Sequence, residues 1–222
     1  MAATIRPPET SARSWLDRFD RVERAVHWVD AGLMLVLIAT GAALYLQPLG
    51  ELVGRRALVE DIHVYCGVAL PVPLALAVTG PWGRRLRADL ARFNRWTARD
   101  RLWLRAASRD RRLRPSGGLQ LDTGKFNAGQ KLNAAWTAGA GTVMLGTGAI
   151  MRWYHPWPLG WRTGATFVHD WIALAVGAVL VGHVFMALSD WDSLRSMLTG
   201  RISRAWAERH APAWLGGRDG PG

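Results

Sequence analysis

Four long stretches of this 222-residue chain carry almost no charge, and they constrain its fold more than any other feature. Each has about the 20 residues that an α-helix needs to cross the hydrocarbon core of a membrane. They predict four transmembrane spans, at about 25–47, 61–82, 132–153 and 164–188. A chain of this length cannot wrap four such helices in polar protein, so a soluble core is excluded. The predicted fold class is an all-α membrane protein, a four-transmembrane-helix bundle.

The net charge of +11 is concentrated on one side of this predicted topology. Of the 28 Lys and Arg residues, 24 lie in the N-terminal arm, in the loop 83–131 and in the C-terminal tail. Cytoplasmic loops of membrane proteins carry an excess of Lys and Arg. The distribution therefore places both termini and the basic loop 83–131 in the cytoplasm. It favours contact with anionic membrane lipids, and no nucleic acid is expected as a partner.

The spans divide the chain into three parts. Residues 1–20 form a cytoplasmic N-terminal arm, which is expected to be mobile because it combines two prolines with mixed charge. Residues 21–200 form the four-helix domain, and residues 201–222 form a cytoplasmic tail. The loop 83–131 shows helical spacing of apolar residues, which fits amphipathic helices that lie on the membrane or pack against a partner subunit. Pro71 and Pro73 predict a kink in the second span.

Four histidines lie inside or at the ends of the spans: His27, His63, His169 and His183. Histidine is costly in a membrane span and usually marks a functional site. Because successive spans run in opposite directions, the topology sorts these residues into an inner pair, His27 with His183, and an outer pair, His63 with His169. Along one helix, the separation of His169 and His183 gives roughly 21 Å of rise and about 40° of rotation, so both project from nearly one face of the fourth span.

Two levels of paired histidines predict two haems b, stacked in the bundle and each bound by imidazoles at both axial positions. The inner pair would bind the inner haem iron, and the outer pair the outer haem iron. No axial position would stay open for oxygen chemistry, so the expected role is electron transfer. Asp30 and Asp170 lie close to ligand histidines and could orient their rings, or could take part in a proton relay. A single di-metal site is excluded by the distance between the levels.

The remaining candidate ligands are assigned to structural roles. His155 lies in the outer loop and His210 in the tail, and neither has a partner in the level scheme. Cys66 is the only cysteine, so the sequence encodes neither an iron–sulfur cluster nor a disulfide.

Over about residues 17–200, the chain resembles the cytochrome b (gamma) subunit of membrane-bound respiratory formate dehydrogenase. Its most specific motif is the Asn-Ala-Gly-Gln-Lys segment 127–131, just before the third span, and the spacing of the two histidines on the fourth span also matches. The resemblance implies a quinone pocket formed by Asn127, Gly129 and Gln130 near the inner haem. Taken by itself, the segment reads as a helix N-terminus with an asparagine cap.

The resemblance also implies an assembly in the bacterial cytoplasmic (inner) membrane. Its partners would be an iron–sulfur (beta) subunit and a molybdenum or tungsten catalytic (alpha) subunit. Electrons would pass from the iron–sulfur subunit through the outer and the inner haem to menaquinone or ubiquinone. The chain itself encodes no formate-oxidising site, and no catalytic residue is predicted.

Three other interpretations stay open at this point. The chain could be the cytochrome b subunit of a hydrogenase or another molybdenum oxidoreductase, since such subunits share the histidine pattern. It could be a stand-alone electron shuttle of the cytochrome b561 type. A membrane anchor or transporter without redox function would bind no haem.

Overall fold

A computed structural model of the protein describes residues 14–109 and 122–217. The described residues are mainly helical and contain a short two-stranded sheet. In chain order the elements are β1 (Trp15–Asp17), α1 (Arg21–Tyr45), α2 (Gln47–Val53), α3 (Arg56–Ala69), α4 (Val72–Thr79), α5 (Arg84–Asn94), α6 (Ala98–Arg109), α7 (Ala128–Arg152), α8 (Leu159–Ser189), α9 (Trp191–Thr199), β2 (Arg201–Ser203), α10 (Arg204–His210) and α11 (Pro212–Leu215).

The chain divides into two compact units. Unit 1 gathers the described parts of segments that are distant in sequence, and unit 2 contains most of the long apolar helices. Unit 1 is drawn from Met1–Arg21, Arg87–Ala134 and Ala187–Gly222, and unit 2 from Val22–Leu86 and Ala135–Met186.

Three segments of the described residues are long and apolar enough to cross a membrane: α1, α3 together with α4, and α8. Helix α7 corresponds to the third predicted span. Like α1 it is 25 residues long, but it is less apolar because it is rich in glycine, alanine and threonine. Each of these helices begins about one turn before the predicted span. The predicted spans contain only the uncharged stretches, whereas the helices continue into the residues that flank those stretches.

The surface of these helices is apolar. Leu35, Leu174 and Val181 are 61%, 66% and 71% exposed on long helices. An apolar surface of this extent is suited to lipid. The second span is interrupted where the sequence predicts a kink: α3 ends at Ala69 and α4 starts at Val72, with Pro71 between them and Pro73 in the first turn of α4. Proline lacks the N–H group that would continue the helical hydrogen bonds.

Unit 1 contains the sheet, in which β1 and β2 pair antiparallel with Leu16 opposite Ile202. Ile202 packs with Trp206, Ala207 and Ala211 in a buried apolar cluster. An ordered strand thus stands where the sequence predicted a mobile arm. Residues 1–13 of that arm lie outside the described part of the chain.

Arg18 connects the arm to the tail within unit 1. Its side chain is buried, Nη1 donates hydrogen bonds to the hydroxyls of Ser193 at 3.1 Å and Ser196 at 3.3 Å, and the guanidinium lies 4.4 Å from the ring centre of Trp206. Burial lowers the pKa of Arg18 to about 10, against the opposing effect of nearby carboxylates, chiefly Asp190. A buried guanidinium is costly unless its donors are used. The contacts of Nη1 and of Trp206 offset part of this cost, while Nε is buried without a hydrogen-bond partner in the described residues.

Candidate functional site

The four histidines of the spans form two facing pairs within unit 2. His27 on α1 faces His183 on α8, with ring centres 6.3 Å apart and ring planes at 58°. His63 on α3 faces His169 on α8, also with ring centres 6.3 Å apart and with planes at 63°. The structure therefore brings together the same partners that the topology indicated. Helix α8 supplies one member of each pair.

The spacing within each pair suits a metal ion between the rings. A bond from a metal such as zinc to an imidazole nitrogen is about 2 Å long, and the ring centre lies about 1 Å behind that nitrogen, so two rings on opposite sides of one ion have centres about 6 Å apart. Both observed separations agree with that distance. Within the described residues, no group of three or more His, Cys, Asp or Glu side chains forms a metal site, so each pair is a two-ligand arrangement. This ligand set fits the two axial positions of a haem iron.

The rings of His63 and His169 are held by two hydroxyl groups. Thr40 Oγ1 lies 2.9 Å from Nδ1 of His63, and Thr147 Oγ1 lies 2.9 Å from Nδ1 of His169. The residue after each threonine is a glycine that lies against the same ring. Neither threonine was predicted from the sequence, although Thr-Gly-Ala occurs in both spans.

The other pair has different surroundings. The ring of His27 meets the edge of Trp28 at 5.2 Å between ring centres, and His183 is exposed. Within the described residues, no hydrogen bond reaches the ring of His27 or of His183. Asp30, which could have oriented His27, keeps a buried Oδ1 atom without a hydrogen-bond partner.

The suggested role of Asp170 is also not seen. No hydrogen bond joins its carboxylate to the ring of His169 in the described part of the chain, where the hydroxyl of Thr147 occupies the Nδ1 side instead. A threonine from a neighbouring helix therefore replaces the carboxylate that the sequence suggested.

The motif predicted to bind quinone lies in unit 1, at the start of α7. Asn127 Oδ1 accepts a hydrogen bond from the Gln130 N–H at 2.9 Å, and Gln130 Oε1 accepts one from the Asn127 N–H at 3.0 Å. This reciprocal arrangement is a capping box, so the plainer interpretation of the segment as a capped helix start describes its local structure. Within the described residues, the NH₂ groups of both side-chain amides have no hydrogen-bond acceptor, so they can donate to a ligand.

Gly129 permits a close contact, and the group that approaches it is a side chain of the protein. A Cβ atom at Gly129 would lie 2.9 Å from Trp103 on α6 and 3.3 Å from Oδ1 of Asn127. Any other residue would therefore displace the indole or disturb the cap. The sequence could not reveal this contact, because nothing in the spacing of a basic loop indicates which of its residues meets the helix start.

Buried ion pairs hold the ends of this motif. Lys131 Nζ donates to Asp100 Oδ2 at 2.9 Å and to the carbonyl of Arg95 at 2.8 Å. Lys125, just before the motif, pairs with Asp89, and both side chains are buried. Burial alone would raise the pKa of Asp100, but the hydrogen bonds from Lys131 and Thr97 outweigh it and hold that pKa below its ordinary value. Helices α5 and α6 of the basic loop are thereby packed against protein in unit 1.

Taken together, the fold and the histidine pairs define a class of protein, a helical membrane protein with ligand pairs of the kind found in membrane-bound b-type cytochromes. The family model described as prokaryotic cytochrome b561 matches residues 18–200. The chain belongs to this family.

The relatives that the chain matches agree with this family. Over 210 residues, 91% of this chain and 92% of the relative, the chain is 25% identical to the formate dehydrogenase cytochrome b556(fdo) subunit of Escherichia coli (strain K12). Over 201 residues, 87% of each chain, it is 24% identical to the nitrate-inducible formate dehydrogenase cytochrome b556(Fdn) subunit of the same strain. It is also 24% identical over 198 residues, 86% of this chain and 78% of the relative, to the formate dehydrogenase cytochrome b556 subunit of Haemophilus influenzae. The resemblance predicted from the sequence is confirmed.

Proposed function

We propose that the chain is the di-haem cytochrome b subunit of a formate dehydrogenase complex in the bacterial cytoplasmic membrane. It would pass electrons from an iron–sulfur subunit across the membrane to a quinone. The observation that carries the proposal is the presence of two facing histidine pairs that share one long apolar helix. The names of the relatives, which match along nearly the whole chain, supply the donor complex.

Four residues would hold the haems in this proposal. His63 and His169 would bind one iron, and His27 and His183 the other. When bound, the two haems supply one-electron transfer, a chemistry that no amino acid side chain of these spans offers. The chain would contribute the ligands, their spacing and the apolar surroundings, and ligation of each iron by two imidazoles would exclude small molecules from it.

The proposal includes α7 as a fourth span. Its 25 residues have a length of about 37 Å, which is enough to cross a bilayer, and its central part carries no charge. Small residues in such helices allow close packing against neighbours, which offsets their lower hydropathy. With four spans, the excess of Lys and Arg supports a topology in which both termini and the loop 83–131 would lie in the cytoplasm.

Quinone reduction would take place at the start of α7. The side-chain oxygens of Asn127 and Gln130 are engaged in the cap, which fixes both amides and leaves their NH₂ groups available to other acceptors. Quinone carbonyl oxygens are such acceptors, and fixed donors bind them without losing side-chain entropy on binding. In this proposal Gly129 acts by accommodating Trp103, which would fix the wall beside the two amides.

The partners proposed for the chain are an iron–sulfur subunit and a molybdenum or tungsten catalytic subunit. In this proposal the catalytic subunit oxidises formate. Within the complex, this subunit would accept electrons from the iron–sulfur subunit at the outer side and take up protons for the quinone at the inner side.

The test is purification of the tagged chain from its native membrane in mild detergent, followed by identification of bound subunits and an assay of quinone reduction. We expect an iron–sulfur protein and a molybdenum- or tungsten-containing protein to copurify, and formate to reduce a soluble quinone analogue. Asn127→Leu combined with Gln130→Leu should lower quinone reduction and leave formate-dependent haem reduction intact. Reduction by hydrogen in place of formate would assign a hydrogenase, and a haem protein without partners would favour a cytochrome b561-type shuttle.

A further inference from the structure

Two Thr-Gly steps, Thr40-Gly41 on α1 and Thr147-Gly148 on α7, contact the rings of one histidine pair. Thr40 reaches His63, 23 residues further along the chain, and Thr147 reaches His169, 22 residues further along. Both contacts join Oγ1 to Nδ1 at 2.9 Å. The same contact therefore occurs twice, once between α1 and α3 and once between α7 and α8.

The direction of each hydrogen bond follows from the other partner of the hydroxyl. Thr40 Oγ1 lies 2.7 Å from the carbonyl oxygen of Val36, and Thr147 Oγ1 lies 2.8 Å from that of Val143. A hydroxyl has one proton, and a carbonyl can only accept it. Each hydroxyl therefore donates to its own helix, as threonines in apolar helices commonly do, and accepts from the histidine.

This assignment fixes the tautomer of both rings. Since His63 and His169 donate through Nδ1–H, the lone pair of each neutral imidazole lies on Nε2. The Nε2 atoms are the only ring atoms left that can bind a metal. Metal-binding histidines generally have their second nitrogen oriented by such a partner, which also makes the ring a stronger electron donor.

The glycines complete the contact from the edge of each ring. A Cβ atom at Gly41 would lie 3.4 Å from Cε1 of His63, and one at Gly148 would lie 3.5 Å from Cε1 of His169. A methyl group would just touch the ring, and a longer side chain would push it away. At Gly146, on the same helix as Gly148, an added Cβ would meet nothing within 4 Å.

We propose that Thr40 and Thr147 are positioning residues for both ligands of one haem, and that they hold its reduction potential below the value it would have without these hydroxyls. The inference rests on the haem ligands assigned under the proposed function. A stronger imidazole donor stabilises the oxidised iron more than the reduced iron. The effect is confined to the His63–His169 pair, because no hydrogen bond reaches the rings of the other pair within the described residues.

The test compares Thr40→Val and Thr147→Val, which keep the shape of the side chain and remove the hydroxyl, with the corresponding serine variants. Thr142→Val is the matched control, since its hydroxyl bonds only to the Ala138 carbonyl on the same α7 helix. A redox titration gives the potential of each haem. The titration is repeated in a His183→Ala background, in which only the haem at His63 and His169 should remain.

We expect each valine variant to raise the potential of the His63–His169 haem and to leave the other haem unchanged. The serine variants and Thr142→Val should match the parent protein. In the double valine variant the affected haem should be held about 10- to 100-fold more weakly, as is usual when the orienting partner of a metal ligand is removed.

Unchanged potential and haem retention in both valine variants would overturn the inference, and so would a shift confined to the other haem. The haem at the second pair reports whether each variant is folded, and the serine variants retain the hydroxyl if a valine variant fails to assemble. If the parent protein binds no haem, the proposed function fails first, before any variant is compared.

Discussion

The two histidine pairs have the same spacing and different surroundings. In both, the ring centres are 6.3 Å apart. The rings of His63 and His169 each contact a threonine hydroxyl and a glycine on another helix. Within the described residues, no hydrogen bond reaches the ring of His27 or of His183. Helix geometry alone can therefore bring two imidazoles to metal-binding distance. Fixing their tautomer takes hydrogen-bond partners, which in the described residues only the His63–His169 pair has.

The four histidines can also be compared by their exposure. His183 is exposed, while His27, His63 and His169 are all half-buried. The two pairs therefore differ in exposure at one ligand only.

The largest effect that separates the pairs is expected from Gly148→Leu. The leucine side chain would extend from a Cβ position that lies 3.5 Å from Cε1 of His169, so it should displace the ring and reduce the haem content to about one per chain. Gly146→Leu on the same helix points into open space and should retain both haems. The haem content of both purified variants measures this difference. Two haems in Gly148→Leu would mean that the glycine does not position the ring.

A smaller effect is expected at the two acidic residues close to the pairs. Asp30→Asn and Asp170→Asn should both retain two haems, because neither carboxylate bonds to a ligand ring in the described residues. Loss of the negative charge should raise the potential of the adjacent haem, since a nearby anion favours oxidised iron, and by less than the threonine variants do. Redox titration with haem quantification checks both points. Loss of a haem from Asp30→Asn would show that this carboxylate holds His27 after all.

Much of the ligand arrangement could be predicted from the sequence. Charge-free segments locate the apolar helices, the alternating direction of the spans gives each histidine a depth, and helical periodicity places His169 and His183 on one face of α8. These properties depend on local composition and on the geometry of one helix, which a sequence carries.

The contacts between segments could not be predicted in the same way. Thr142 and Thr147 look alike in the sequence, and both bond back to their own helix, yet only Thr147 meets a histidine. The pairing of β1 with β2 joins two three-residue strands from opposite ends of the chain, and such strands are too short to show a period. Likewise, Gly129 was expected to admit a ligand, and its close neighbour is Trp103. Each contact depends on a distant residue that no local pattern identifies.

The central claim is that each facing histidine pair binds one haem. The most direct test is the number of haems per chain, with a reduced-minus-oxidised spectrum, in the purified protein and in its His63→Ala and His183→Ala variants. His155→Ala is the control, because that residue belongs to neither pair. The account predicts two six-coordinate b-type haems in the parent and in the control, and one in each of the other variants, with the remaining haem differing between the two. A parent protein made with ample haem that binds none, or a single histidine variant that keeps both haems, would contradict it.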